Sequence, residues 1–203
     1  MAVSGLVMVG FLIVHLAGNL LVFAGPASYN SYAAKLKAVP LLVWGVRGML
    51  LAALIVHVVA AFQLMGIASA GRPVAYARHE TEASTLASRT MKWGGIALLI
   101  FIVLHLLHFT TGTIHPDFRA PDVHHNVITS FAKPLISGLY IVAMFALGMH
   151  LYHGTWSVFQ TMGVNNPTVG GVRKKVAGAL AILLYVGFSL IPLGIMLGFA
   201  RGR

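Results

Sequence analysis

The chain has 203 residues, 58% of them hydrophobic and only 9% charged, with a mean hydropathy of +0.86. Soluble domains carry about a quarter charged residues, so the composition excludes that class and marks an integral membrane protein. Its 14 Lys and Arg against 4 Asp and Glu fall mostly between apolar runs or at their ends, which is headgroup anchoring and excludes nucleic-acid binding.

Five stretches are long enough to cross a hydrocarbon core of about 30 Å, which takes roughly 20 helical residues. They lie near residues 2–24, 41–68, 92–112, 134–160 and 176–200. The first contains His15 and Asn19, and its apolar run is longer than a signal peptide core of about 7–15 residues, so it is kept as a span. The connection "GPASYNSYAAKLKAVP" (25–40) has room for a short interfacial helix, and "SAGRPVAYARHETEASTLASRTMK" (69–92) is the longest polar interval. The third connection, around "HPDFRAPDVHHN", is rich in Pro and His, and Pro134 after it suits the first position of a helix, where a missing N–H costs little. The fourth is "TMGVNNPTVGGVRKK"; Pro192 lies inside the last span and is expected to bend it. No repeat or low-complexity tract divides the chain, so residues 1–203 read as a single all-α transmembrane domain.

Charge leaves the orientation open. With the N-terminus inside, Arg72, Arg78, Arg89, Lys92, Arg173, Lys174 and Lys175 lie inside, and Lys35, Lys37, Arg47, Arg119, Lys133, Arg201 and Arg203 lie on or near the outside. The two sets are equal in size, so the positive-inside rule does not decide.

Four of the five predicted helices carry a deeply placed histidine: His15, His57, His105 and His150. Ionisable side chains inside a membrane are costly and are functional candidates by default. Neighbouring spans run in opposite directions, so depth can be compared. His15 and His105 each lie about 13 residues from the N-terminal side, roughly 20 Å at helical rise. His57 and His150 share a second level, about 16 residues from the opposite side. There is no cysteine, which excludes disulfides, iron-sulfur ligation and covalent haem attachment. Two facing imidazoles at one depth are what a non-covalent, six-coordinate b-type haem requires, and two levels imply two haems in the bundle. A zinc or iron transport site is the competing use of such histidines, but it would gather Asp, Glu or Cys at one level, and all four acids lie between the spans. Gly10, Gly18, Gly94, Gly95, Gly138 and Gly148 lie on the same helices; small residues there serve the approach of a porphyrin or ordinary helix packing equally well. Nucleotide-binding glycine fingerprints are absent, which assigns flavin or nicotinamide chemistry to a partner chain.

"FLIVHLAGNLLVF", "LIVHVVAAFQL", "GGIALLIFIVLHLLH" and "HLYHGTWSVFQTMG" resemble the four ligand helices of the single-chain, five-helix dihaem cytochrome b subunit of bacterial succinate dehydrogenases and fumarate reductases. The likeness spans nearly the whole chain, and the fourth motif, with His150, Trp156 and Ser157, is the most specific. The resemblance implies that His15 with His105 hold the iron of an outer haem, and His57 with His150 that of an inner one. It implies a multi-pass subunit of the inner (cytoplasmic) membrane with a cytoplasmic N-terminus. Its implied role in complex II is to anchor a flavoprotein and an iron-sulfur subunit and to pass electrons between them and quinone, usually menaquinone. The chain itself would carry no flavin or dicarboxylate site and no catalytic residue. The complex is compatible with a homo-oligomeric assembly. One departure is that helices I and II contain no Asp or Glu, whereas some members place an acid near the outer quinone site. The chain also begins almost at the first span, without the longer leading segment often seen, so whether Met1 is the natural start is left open. Rival readings are a dihaem subunit of nitrate-reductase type, whose ligands cluster on two helices, and a haem-free anchor or transporter.

His108 and His153 lie one turn beyond His105 and His150; they are candidates to bind haem propionates or orient neighbours, or to snorkel to the interface. Arg47, Arg89 and Lys92 are candidates to neutralise propionates. For a quinone headgroup the candidates are Tyr29, Asn30, Tyr32, Arg47 and His108 at the outer side or Arg89, Trp93 and Trp156 at the inner, although Tyr and Trp at such depths are commonly belt residues.

Overall fold

The computed structural model describes residues 1–70, 86–163 and 170–200; of residues 68, 69 and 86–89 it describes the backbone alone. The elements in chain order are α1 (Ala2–Leu20), a 3-10 turn (Leu21–Ala24), α2 (Pro26–Lys37), α3 (Pro40–Ala70), α4 (Leu86–His105), a π-turn (Leu106–Thr110), α5 (Val123–Phe131), α6 (Pro134–Thr161) and α7 (Gly170–Met196). No strand occurs among the described residues. Five helices are long and apolar enough to span a membrane: Ala2–Ala24, Pro40–Ile67, Thr90–Thr110, Pro134–Thr161 and Gly170–Met196.

Local chemistry explains where these helices begin and stop. Gly25 adopts φ 91°, ψ 171°, a region open to glycine alone, and breaks the first span from α2. Pro26 and Pro134 sit in the first turn of α2 and α6, where φ is already helical and no N–H is needed. Asp122 caps α5 by accepting the backbone N–H of His125 at 2.9 Å, which turns the Pro- and His-rich connection into a short helix that apolar periodicity did not announce. The last helix begins at Gly170, six residues before the expected 176, because "GGVRKK" continues it on the polar side. Pro192 is buried inside α7, which continues through it to Met196.

The helix α7 carries no histidine, yet it is the spine of the bundle. Ala177, Ala181, Leu184, Ile191 and Ile195 are buried along one face, three or four residues apart except across Gly187 and Phe188, as a helix seam requires. Both α1 and α6 pack on α7, α4 packs on α6, and α3 packs on α1 and α2. Small residues set these approaches, since lipid supplies no hydrophobic drive between helices and van der Waals fit must do so. A Cβ at Gly187 would come within 2.5 Å of the Leu16 side chain, and one at Gly194 within 2.7 Å of the Phe23 ring. At the end of the bundle away from the N-terminus, α2 and α5 pack together. Asn30 ties them, donating to Asp122 Oδ1 at 2.9 Å and accepting from the His124 N–H at 3.0 Å, and Lys37 donates to the Ala120 carbonyl at 3.1 Å.

Two glycines with positive φ give a comparison. Gly163 (φ +77°) has open space where a Cβ would stand, whereas at Gly112 (φ +73°) the Phe118 ring occupies that space. Gly163→Ala should cost about 1 kcal/mol from the left-handed backbone alone, and Gly112→Ala a further 1–3 kcal/mol or so from overpacking. Thermal unfolding of the two variants in the same detergent tests the order; equal losses contradict it.

Candidate functional site

The structure brings together side chains from helices that do not pack on each other. His15 of α1 faces His105 of α4 with ring centroids 5.9 Å apart and planes at 89°. His57 of α3 faces His150 of α6 with centroids 6.1 Å apart and planes at 54°. Neither α1 with α4 nor α3 with α6 is among the packed helix pairs, so imidazoles reach across a gap at two levels of the bundle.

The donor set suits a metal held by imidazole alone. A metal–imidazole bond is about 2 Å, so two imidazoles on opposite faces of one metal have ring centroids about 6 Å apart. Both pairs have that separation. His105 Nδ1 and His150 Nδ1 are buried without a hydrogen-bond partner, which is costly unless the ring has another use. Glycine flanks two of the rings: a Cβ at Gly5 would lie 3.7 Å from His57 Cε1, and one at Gly95 3.7 Å from His150 Cε1. A largely apolar cleft of about 160 Å³, lined by Met91, Gly94, Phe145 and Met149 among others, opens on His150. Among the described residues no three His, Asp or Glu side chains gather as a metal cluster. These residues would fit a b-type haem at each level: two imidazoles meet at that separation beside largely apolar side chains, and at the His57–His150 pair glycine leaves room for a flat group.

The second histidines of the two doublets differ. Regular α-helix carries His150 on to His153, which is half-buried, stands edge-on to Trp156 with centroids 6.1 Å apart, and has an unpartnered buried Nδ1. After His105, by contrast, the backbone opens into the π-turn Leu106–Thr110, closed by Thr111 N–H donating to the Leu106 carbonyl at 3.0 Å. His108 lies within this wider turn, a common local device at functional sites. His108 is buried and bonded on both sides, Nδ1 to the Tyr140 hydroxyl at 2.9 Å and Nε2 to Ser130 Oγ at 3.1 Å. Its ring lies beside buried His115, centroids 5.2 Å apart. His115 Nδ1 accepts from the Asp117 N–H at 3.2 Å, so its Nε2 donates to the Asn126 carbonyl at 3.0 Å.

The remaining sequence candidates are placed as follows. Tyr29 is buried and donates to Asn19 Oδ1 at 2.6 Å, and burial pushes its phenol above the usual range. Asn30 is committed to tying α2 to α5. The Tyr32 ring lies over Gly18, whose Cβ would come 2.7 Å from the hydroxyl. Arg47 and Lys92 lie over Trp44 and Trp93 at 4.9 and 5.4 Å from the ring centroids; Trp44 and Trp93 are largely exposed, an arrangement of belt residues and cations. Lys174 lies over Trp156 at 5.6 Å. The Arg89 side chain is outside the described residues. Ser4, Asn19, Ser130 and Tyr140 contact the histidines, and no sequence argument had assigned them a part. Their signal was faint, a hydroxyl or amide within an apolar run.

The family model for the succinate dehydrogenase/fumarate reductase transmembrane subunit matches residues 68–190, more than half of the chain. The chain belongs to this family. With its five spanning helices it is a multi-pass membrane subunit of that oxidoreductase class. The match includes His105 and His150 and stops short of α1 and of His57, whose pairing rests on the geometry above. No curated protein and no solved structure matches the chain.

At the α2–α5 end, the carboxyl of Asp117 is held below the usual range chiefly by the hydrogen bond from His125. Asp122 is lowered chiefly by the His125 backbone N–H and then by the Asn30 amide. Asp122→Ala removes the cap of α5 and should destabilise this end by about 1 kcal/mol. A carboxylate whose native pKa is depressed contributes fully above its unfolded value, 3.8 here, and loses that contribution as pH falls through the lower native one. Unfolding temperatures of wild type and Asp122→Ala should therefore differ at pH 6 and converge well below pH 3.8; a gap independent of pH contradicts the ionised cap.

Proposed function

We propose that this subunit binds two haems b, one between His15 and His105 and one between His57 and His150, and conducts electrons between an iron-sulfur partner and quinone. The observation that carries the reading is the two pairs of imidazoles, each at ligand separation and each drawn from helices that are not among the closely packed pairs. When bound, the two haems supply a one-electron path across the bilayer. The residues of the chain do the rest. Each histidine offers a neutral nitrogen at a fixed depth. The walls around it, including Phe11, Phe101, Phe109 and Phe188 beside the outer pair, exclude water and keep the local dielectric low.

Following the family reading, the N-terminus is placed in the cytoplasm, with His57 and His150 as the inner pair, nearer the side where the iron-sulfur and flavoprotein subunits dock. Lys92, Lys174 and Lys175 lie on that side and suit either a docking surface or propionate neutralisation; His153 is the histidine nearest to that role at the inner level. Menaquinone is the expected quinone, and the complex is the acting enzyme in the inner membrane. Helices α1, α2 and α3 contain no Asp or Glu, so proton handling along them falls to histidine, tyrosine, backbone and water.

A pyridine haemochrome assay of the purified complex should give two haems b per chain. His57→Ala and His150→Ala should each abolish the same spectral component, and His15→Ala and His105→Ala the other. Fewer than two haems in wild type would falsify the dihaem reading, and loss of different components by His57→Ala and His150→Ala would overturn the pairing.

A further inference from the structure

We propose that Ser4 is a positioning residue for His57, accepting the Nδ1 proton of the imidazole and thereby holding its Nε2 lone pair ready for a metal. The inference rests on the reading that His57 and His150 hold one haem. Ser4 lies in the first turn of α1 and is buried, 7% exposed. Its hydroxyl donates to the Met1 carbonyl at 2.9 Å, and its oxygen stands 3.3 Å from His57 Nδ1. A hydroxyl has one proton, and here the Met1 carbonyl takes it. The oxygen is left to act as acceptor, so His57 Nδ1 is the donor to it, with the Met1 backbone also within hydrogen-bonding reach of the ring. An imidazole protonated on Nδ1 carries its free lone pair on Nε2, the nitrogen then available as a ligand.

The neighbouring residue reinforces this placement. Gly5 leaves the flank of the ring bare, since a Cβ there would lie 3.7 Å from His57 Cε1 and 3.9 Å from Nδ1. The imidazole therefore rests against the α1 backbone with the Ser4 oxygen at its edge. The other three facing histidines have a different surrounding: His15 Nδ1 stands 3.4 Å from the amide nitrogen of Asn19, and His105 and His150 bury Nδ1 without a partner. A hydrogen bond to the remote ring nitrogen fixes the ring and raises its basicity as a ligand. A more basic ligand favours the oxidised metal and lowers the potential of that one centre.

The test is a redox titration of the purified complex, following each haem band, together with the rate of haem transfer to a soluble scavenger. In Ser4→Ala the component that His57→Ala abolishes should move to higher potential and lose haem about tenfold faster, while the other component stays in place. Ser4→Thr keeps the hydroxyl and should restore both properties. The proposal is overturned if Ser4→Ala moves neither property, moves both components equally, or is matched by Ser4→Thr. Wild type with two haems and an unmoved Ser4→Ala overturns the Ser4 role alone; wild type lacking two haems overturns the haem reading and the Ser4 role with it.

Discussion

Inside a bilayer no water is at hand to satisfy a polar side chain, so every imidazole at membrane depth must find its partner within the protein or in something the protein holds. Four such imidazoles, one from each of four helices, set the problem that this bundle solves. They meet in two pairs across gaps where the helices themselves are not packed. Two of the four bury a ring nitrogen without any partner. An arrangement built for packing alone would close such gaps with apolar side chains, because a small residue and a close approach are the ordinary means of joining helices in lipid.

What holds the gaps at their width is the packing elsewhere. Leu16, next to His15, seats on Gly187 of α7, and the Phe188 ring lies 5.9 Å from the His15 ring. Gly148, one half-turn before His150, takes Tyr185 of the same helix, whose Cβ would be 3.3 Å from an added methyl. The spine α7 thus fixes the depth of one histidine in each pair through contacts beside it, while α4 and α3 are held by α6 and α1. The cap formed by α2 and α5 adds Tyr29, whose hydroxyl reaches back to Asn19 one turn from His15.

Repetition in the sequence conceals two different local structures. Both doublets place histidines three apart, and on a continuous α-helix both second members would share a stripe with the first. His153 does so. His108 instead lies in a π-turn, and both its nitrogens are engaged, by Tyr140 and Ser130. A polar network of His108, Ser130, Tyr140 and the adjoining His115 then closes the bundle beside the outer pair.

The sequence by itself determined the membrane class and the five spans, and it singled out His15, His57, His105 and His150 as one histidine in each of four of them. Apolar run length and helical rise are local quantities, so these features could be computed from residue order. It did not reveal α5, the π-turn or the parts of Ser4, Asn19, Ser130 and Tyr140. Asp122 caps a helix only when the connection folds back to it. A serine hydroxyl in an apolar turn matters only when a second helix brings a ring nitrogen to it. Tertiary structure alone decided which helices touch and which stand apart, because glycine sockets and side-chain fit act between segments remote in the chain. That decision turned four histidines at matching depths into two pairs that face each other.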